Sequence, residues 1–119
     1  MVAVLATEAQ VLLAIGEGAS ANQILSGNVL IWSLMAESDM ESVASNGAEI
    51  VARYGIIKAS YKQWLAMVAS HRAAFYAINH NQSGWDLATT QSKLNVIDSI
   101  WQEFKKRILD KDVIDAMGL

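Results

Sequence analysis

Apolar residues recur along this chain at spacings of three and four, broken by short polar stretches that carry glycine, serine or asparagine. That spacing predicts amphipathic α-helices, each burying one stripe of side chains. Thr7-Glu8-Ala9-Gln10 has the form of a capping box, with Thr7 as N-cap and Gln10 reaching back. It opens a short first helix to about residue 15, closed by Gly16-Glu17-Gly18. Ser20 is placed to cap a long second helix to about residue 45, ended by Asn46-Gly47, a pair suited to a left-handed C-cap. Leu25, Val29, Trp32, Ala36, Met40 and Val43 form its predicted buried stripe. Gly27 in this helix costs about 1 kcal/mol relative to alanine.

Residues 48–58 read two ways, as an extended arm or as a helical turn broken by Gly55. A third helix is expected over about residues 60–79, with Trp64, Val68, His71, Phe75 and Ile78 facing the core. Ala66, Ala69, Ala73, Ala74 and Ala77 leave its other faces slim enough for close helix contact. Asp86 is the expected cap of a fourth helix over about residues 87–109, with Leu94, Ile97, Trp101, Phe104 and Ile108 turned inward. Lys105, Lys106 and Arg107 fall in its last turns, where the helix dipole favours positive charge. Residues 110–119 read as a tail with room for one more helical turn. The expected fold is therefore all-α: a four-helix bundle-like domain over residues 1–109, followed by a short C-terminal segment, 110–119, suited to docking.

Composition sharpens this picture in three places. At 119 residues the chain has the size of one domain. It holds no cysteine, which excludes disulfides and thiolate chemistry, and no proline, which suits helices joined by short turns. Hydrophobic residues make up 53% and charged ones 18%, more apolar surface than one small domain is expected to hide; this points to self-association or a protein partner. The apolar runs are far shorter than the roughly 20 residues that span a bilayer, so no membrane role is expected. The first basic residue is Arg53, so the charged start of a secretion signal is missing and an intracellular chain is expected.

Charge is split unevenly. Residues 1–52 carry six acids and no base, whereas residues 53–119 carry nine bases and six acids. The two parts are thus −6 and +3, which sum to the net charge of −3. Solvated helix faces account for such a split equally well as a head-to-tail contact between copies, in which Glu37 and Glu41 of one subunit face Lys105, Lys106 and Arg107 of the next.

Candidate chemistry is sparse. His71 lies on an apolar stripe, the setting of a hydrogen-bonded core or interface histidine. His80 lies at the joint after the third helix with Asn79, Asn81 and Gln82, where amides and an imidazole suit the satisfaction of helix-end carbonyls. Neither histidine has a second ligand at helical spacing, so no metal and no cofactor are expected. Asp110, Asp112 and Asp115 lack the glycine and glutamate of a calcium loop. Glu37 and Glu41 lie one turn apart, expected on a water-facing side. No nucleophile–base pair suggests an enzyme. Net negative charge argues against a duplex reader, and the four tryptophans read as core anchors.

One resemblance adds to this reading. The short helix opening on Thr7-Glu8-Ala9-Gln10, the Gly16-Glu17-Gly18-Ala19-Ser20 turn and the long second helix resemble the layout of head–tail adaptor (connector, or head-completion) proteins of tailed bacteriophages. The likeness is closest where Ala73-Ala74-Phe75-Tyr76-Ala77-Ile78-Asn79-His80-Asn81-Gln82-Ser83-Gly84-Trp85 leads into an amphipathic helix. It resembles that family's alanine-rich third helix, Ser-Gly-aromatic turn and fourth helix, with Asn79, His80, Gly84 and Trp85 as the joint. The resemblance implies a non-enzymatic virion protein of the neck, made in the host cytoplasm. Such subunits form a homo-oligomeric ring on the portal protein, extend the channel through which DNA passes without sequence-specific binding, and offer a platform to the next neck or tail protein. It also implies portal docking by the C-terminal segment, here Val113, Ile114, Met117 and Leu119. The alternative is a small helical interaction or regulatory module that binds a cellular partner.

Overall fold

The computed structural model describes residues 3–16, 26–44, 49–80 and 87–119. Among these residues the chain forms five α-helices and one 3-10 turn, and no strand. The helices are α1 (Glu8–Ile15), α2 (Ser26–Val43), α3 (Ala59–His80), α4 (Leu87–Ile108) and α5 (Lys111–Met117), with the 3-10 turn over Tyr54–Ile56. The all-α, bundle-like architecture is the one the periodicity predicts. The proposed caps Ser20, Asn46-Gly47 and Asp86, and the stripe residue Leu25, lie outside the described residues.

The start of α1 forms the expected capping box: Thr7 Oγ1 accepts from the Gln10 amide at 3.2 Å, and Gln10 Oε1 accepts from the Thr7 amide at 2.8 Å. Its end is closed by Gly16 at φ +85, a left-handed conformation that any other residue adopts at a cost. Lys93 of α4 reaches across to donate to the Ile15 carbonyl at 3.1 Å, a cation at the negative end of a helix dipole.

α3 is the central helix, packed against α1, α2 and α4. The sequence reading gave its core face to the large residues. The structure buries Val68 and Ile78 of that stripe but leaves Trp64, His71 and Phe75 half-buried, and it buries the alanines, Ala69, Ala73, Ala74 and Ala77 among them, in the close helix contact expected of them. The reason is geometric: a helix surrounded on three sides needs small side chains where neighbouring backbones come closest. The predicted stripes of α2 and α4 are found as expected, with Val29, Trp32, Ala36 and Met40 buried on one and Ile97, Trp101, Phe104 and Ile108 on the other. Phe104 joins α4 to α3 through rings, stacked on Trp101 at 5.4 Å between centroids and tilted against Trp64 at 5.5 Å.

Residues 49–58 are turned and not an extended arm, but Gly55 does not break the helical turn. They fold as turns and the 3-10 turn, with Gly55 inside it, and Ile50 and Ile57 are buried. Residues 110–119, expected as a tail with room for one more helical turn, form α5. Asp110 caps it by accepting from the Asp112 amide at 2.9 Å, and Met117 is fully buried in the same core as α1–α4. The Lys58 amide donates to the Met117 carbonyl at 3.0 Å, which ties α5 to the start of α3.

Candidate functional site

Three acids of α2 face three different parts of the molecule. Glu37 is only 5% exposed, and its Oε2 accepts from the amides of Val4 at 2.5 Å and Leu5 at 2.8 Å. Two charge-assisted bonds to this one oxygen hold the N-terminal segment, with Leu5 and Ala6 buried, beneath the helix. Glu41 Oε1 accepts from the Val51 amide at 2.5 Å, which fixes the turn that follows α2. Asp39 Oδ2 takes both the Arg72 Nε–H, at 2.8 Å, and the Tyr76 hydroxyl, binding α2 to α3. Arg72 lies over Trp101 of α4, 4.4 Å from the ring centroid, so this group joins three helices. Burial raises the Tyr76 pKa above its ordinary 10.0, and the hydrogen bond to Asp39 and that residue's charge raise it further.

This corrects the expected placement of Glu37 on a wet face; Glu41 is half-buried, with one carboxylate oxygen taken by the Val51 amide. A carboxylate sunk beneath its own N-terminal segment has no surface to offer a neighbouring copy. Much of the acidic charge of residues 1–52 is thus used inside the fold. Lys105 is half-buried, and Lys106 and Arg107 are exposed near the end of α4, where Arg107 lies over Trp64 at 5.1 Å.

The remaining expected site residues are dispersed. Met117 is enclosed by the core, while Val113, Ile114 and Leu119 are half-buried and pack against it. The Asn79 side-chain amide donates to the Phe75 carbonyl at 2.7 Å, within the last turns of α3. His80 is the last residue of α3, and Gly84 and Trp85 lie outside the described residues. His71 is half-buried, its Nδ1 placed to donate to the Met67 carbonyl at 2.7 Å. Among the described residues, no three His, Cys, Asp or Glu side chains come together as a metal site would require. No helix among them is long and apolar enough to cross a membrane.

What the surface does hold is apolar, and sequence reasoning missed it. Two adjoining depressions of about 300 and 280 Å³, which share Ala14 and His71, make a groove floored by α3 and walled by α1 and α4. Leu13 (81% exposed), Met67 (43%) and Val96 (58%) stand along it. The second surface is the outer edge of α2, where Ile31 (55%) and Met35 (41%) flank a depression of about 350 Å³ shared with Leu34, Ser38, Asp39 and Tyr76. These residues interrupt or lie opposite the predicted stripes, and a strict count of non-stripe apolar positions was the signal that could have found them. No protein-family model matches the chain, and no curated protein and no solved structure is significantly similar to it.

Proposed function

We propose that this chain is a non-enzymatic structural subunit that associates with copies of itself, in the manner of the phage head–tail adaptors whose layout its sequence resembles. In that role it forms a ring between the portal and the tail in the neck of the virion, continues the DNA channel and carries the next neck or tail protein. The observation that supports it best is the pair of separate apolar surfaces, the α1–α3–α4 groove and the outer edge of α2.

Their five most exposed large side chains leave about three whole side chains' worth of apolar surface in water. Complete burial of one such side chain contributes about 1.5–3 kcal/mol, so hiding both surfaces is worth roughly 4–8 kcal/mol. Association costs on the order of 4–15 kcal/mol in lost freedom. A single contact between two copies is therefore marginal. Closing a ring gives each copy two contacts, and a portal template holds copies side by side. Assembly that depends on concentration or on a template follows from these magnitudes.

The second role, a module that binds a cellular partner, draws on the groove alone, because a groove between helices takes an amphipathic helix from another protein. Negative-stain imaging of the chain mixed with its portal separates the two. Ring density beneath the portal supports the adaptor role; a chain that never joins the portal, whatever the ratio, counts against it.

A further inference from the structure

We propose that copies dock head to tail, the outer edge of α2 in one copy lying in the α1–α3–α4 groove of the next. This rests on the self-association proposed above and assigns the two faces that carry it. Ile31, Leu34, Met35 and Ser38 stand at positions i, i+3, i+4 and i+7 of α2, the edge with which a helix enters a groove. The groove is floored by small residues, Ala66 and Ser70 of α3 with Ala14 of α1 beside them, which lets a neighbouring backbone come close.

Charge selects the occupant. Four of the polar side chains lining the groove are bonded within the chain: Gln10 to the Thr7 amide, Ser70 and His71 to the Met67 carbonyl, Lys93 to the Ile15 carbonyl. On the edge of α2, Asp39 and Tyr76 are bonded to each other, and Asp39 to Arg72. Bringing edge and groove together therefore orphans no charge on either side, the condition under which apolar contact is favourable. The charged side chain of the groove lining is Lys93, already bonded to the Ile15 carbonyl, so a strongly basic helix meets repulsion there and a strongly acidic one finds a single cation for its several charges. A second copy of the chain, whose own α2 edge is apolar with its one carboxylate already paired, fits it.

The directions of the faces decide the symmetry. On α3, Met67 and His71 face the groove whereas Arg72 and Tyr76 face α2, and at roughly 100° per residue these pairs point about 140° apart. Two rigid copies cannot exchange both contacts at once, so the contact is heterologous. Repeated, it makes a ring where the rotation closes.

The chain has no cysteine, so introduced thiols report contact without background. Met35→Cys combined with Val96→Cys, and Met35→Cys combined with Leu13→Cys, are oxidised and run on non-reducing gels. Mass photometry of the unoxidised proteins, alone and with portal, runs in parallel. Edge-in-groove docking gives a ladder of dimer, trimer and higher species in at least one double variant, and no ladder from the single variants. Leu13→Asp weakens association roughly tenfold or more, because the new carboxylate is buried in the part of the groove that holds no lysine or arginine, whereas Lys106→Asp does not. Association by mass without a ladder in either double variant, or Met35→Cys dimers alone, overturns the docking assignment and leaves the ring proposal standing. Single copies at every concentration, with and without portal, overturn both.

Discussion

Replacing Glu37 with alanine removes one side chain and releases two buried amides. In the intact fold the Val4 and Leu5 amides donate to the same carboxylate oxygen, at 2.5 and 2.8 Å. A hydrogen bond to a charged group contributes about 1.5–3 kcal/mol, and an orphaned buried donor costs about 1–3 kcal/mol. The chain has an escape: residues 3–6 can peel away and return their amides to water. That route gives up the burial of Leu5, worth about 1.5–3 kcal/mol, together with the carboxylate bonds themselves, but regains the freedom of four residues at about 1–2 kcal/mol each, so it limits the loss. The expected cost of Glu37→Ala is about 2–4 kcal/mol. Glu37→Gln keeps the shape and one carbonyl acceptor and should cost about half as much. Urea unfolding at low protein concentration, where association adds nothing to stability, reads both values. Hydrogen exchange reads the mechanism, since Val4 and Leu5 should be protected in the parent and exchange freely in Glu37→Ala. A cost below about 0.5 kcal/mol with both amides still protected would refute the clamp.

Other expectations follow from the same contacts. Ultraviolet titration should show one of the three tyrosines, Tyr76, ionising above 10.0, and Asp39→Asn should bring it down; three tyrosines titrating together, unchanged by Asp39→Asn, contradict the cluster. Because the folded value lies above the unfolded one, the matching stability is fully present below pH 10.0 and is lost as pH rises through the folded value. Met117→Ala should cost about 2–4 kcal/mol, measured by the urea midpoint, as for any large core side chain truncated; a neutral result would mean that α5 is a detachable tail. Gly118→Ala should cost about 1–2 kcal/mol in the same assay, since it places a side chain at φ +99 with its Cβ 3.0 Å from the Ile56 carbonyl oxygen; an unchanged midpoint contradicts the fit. Association measured in 1 M sodium chloride should match that in dilute buffer, because screening shortens the reach of exposed charges to about 3 Å and leaves apolar contact intact. Loss of assembly in salt would return the opposite-charge contact to favour.

The helices were legible because their determinants are local. Thr7 and Gln10 are three residues apart, and the stripes of α2 and α4 repeat within one element. The roles of the acids were not legible, since Glu37 finds its amides 32 and 33 residues away and Asp39 finds Arg72 at a separation of 33. Nothing in a run of Glu and Asp on a helix distinguishes a wet face from a set of tertiary clamps. The alanines of α3 were legible as close-contact positions, but that Trp64, His71 and Phe75 would stay half-buried was not, because it depends on helices packing around α3. Residues 110–119 read as a tail because so short an amphipathic segment has no stability of its own. α5 exists through Met117 in the core and the Lys58 amide on its last turn. The groove required knowing that α1 and α4 flank α3, which no local pattern states.

Sedimentation velocity of the purified chain from low to high micromolar concentration tests self-association most directly. The expected result is a shift from the 13.0 kDa species to larger ones as concentration rises, settling at a closed assembly of fixed size. A single 13.0 kDa boundary throughout, unmoved by adding portal, would contradict it.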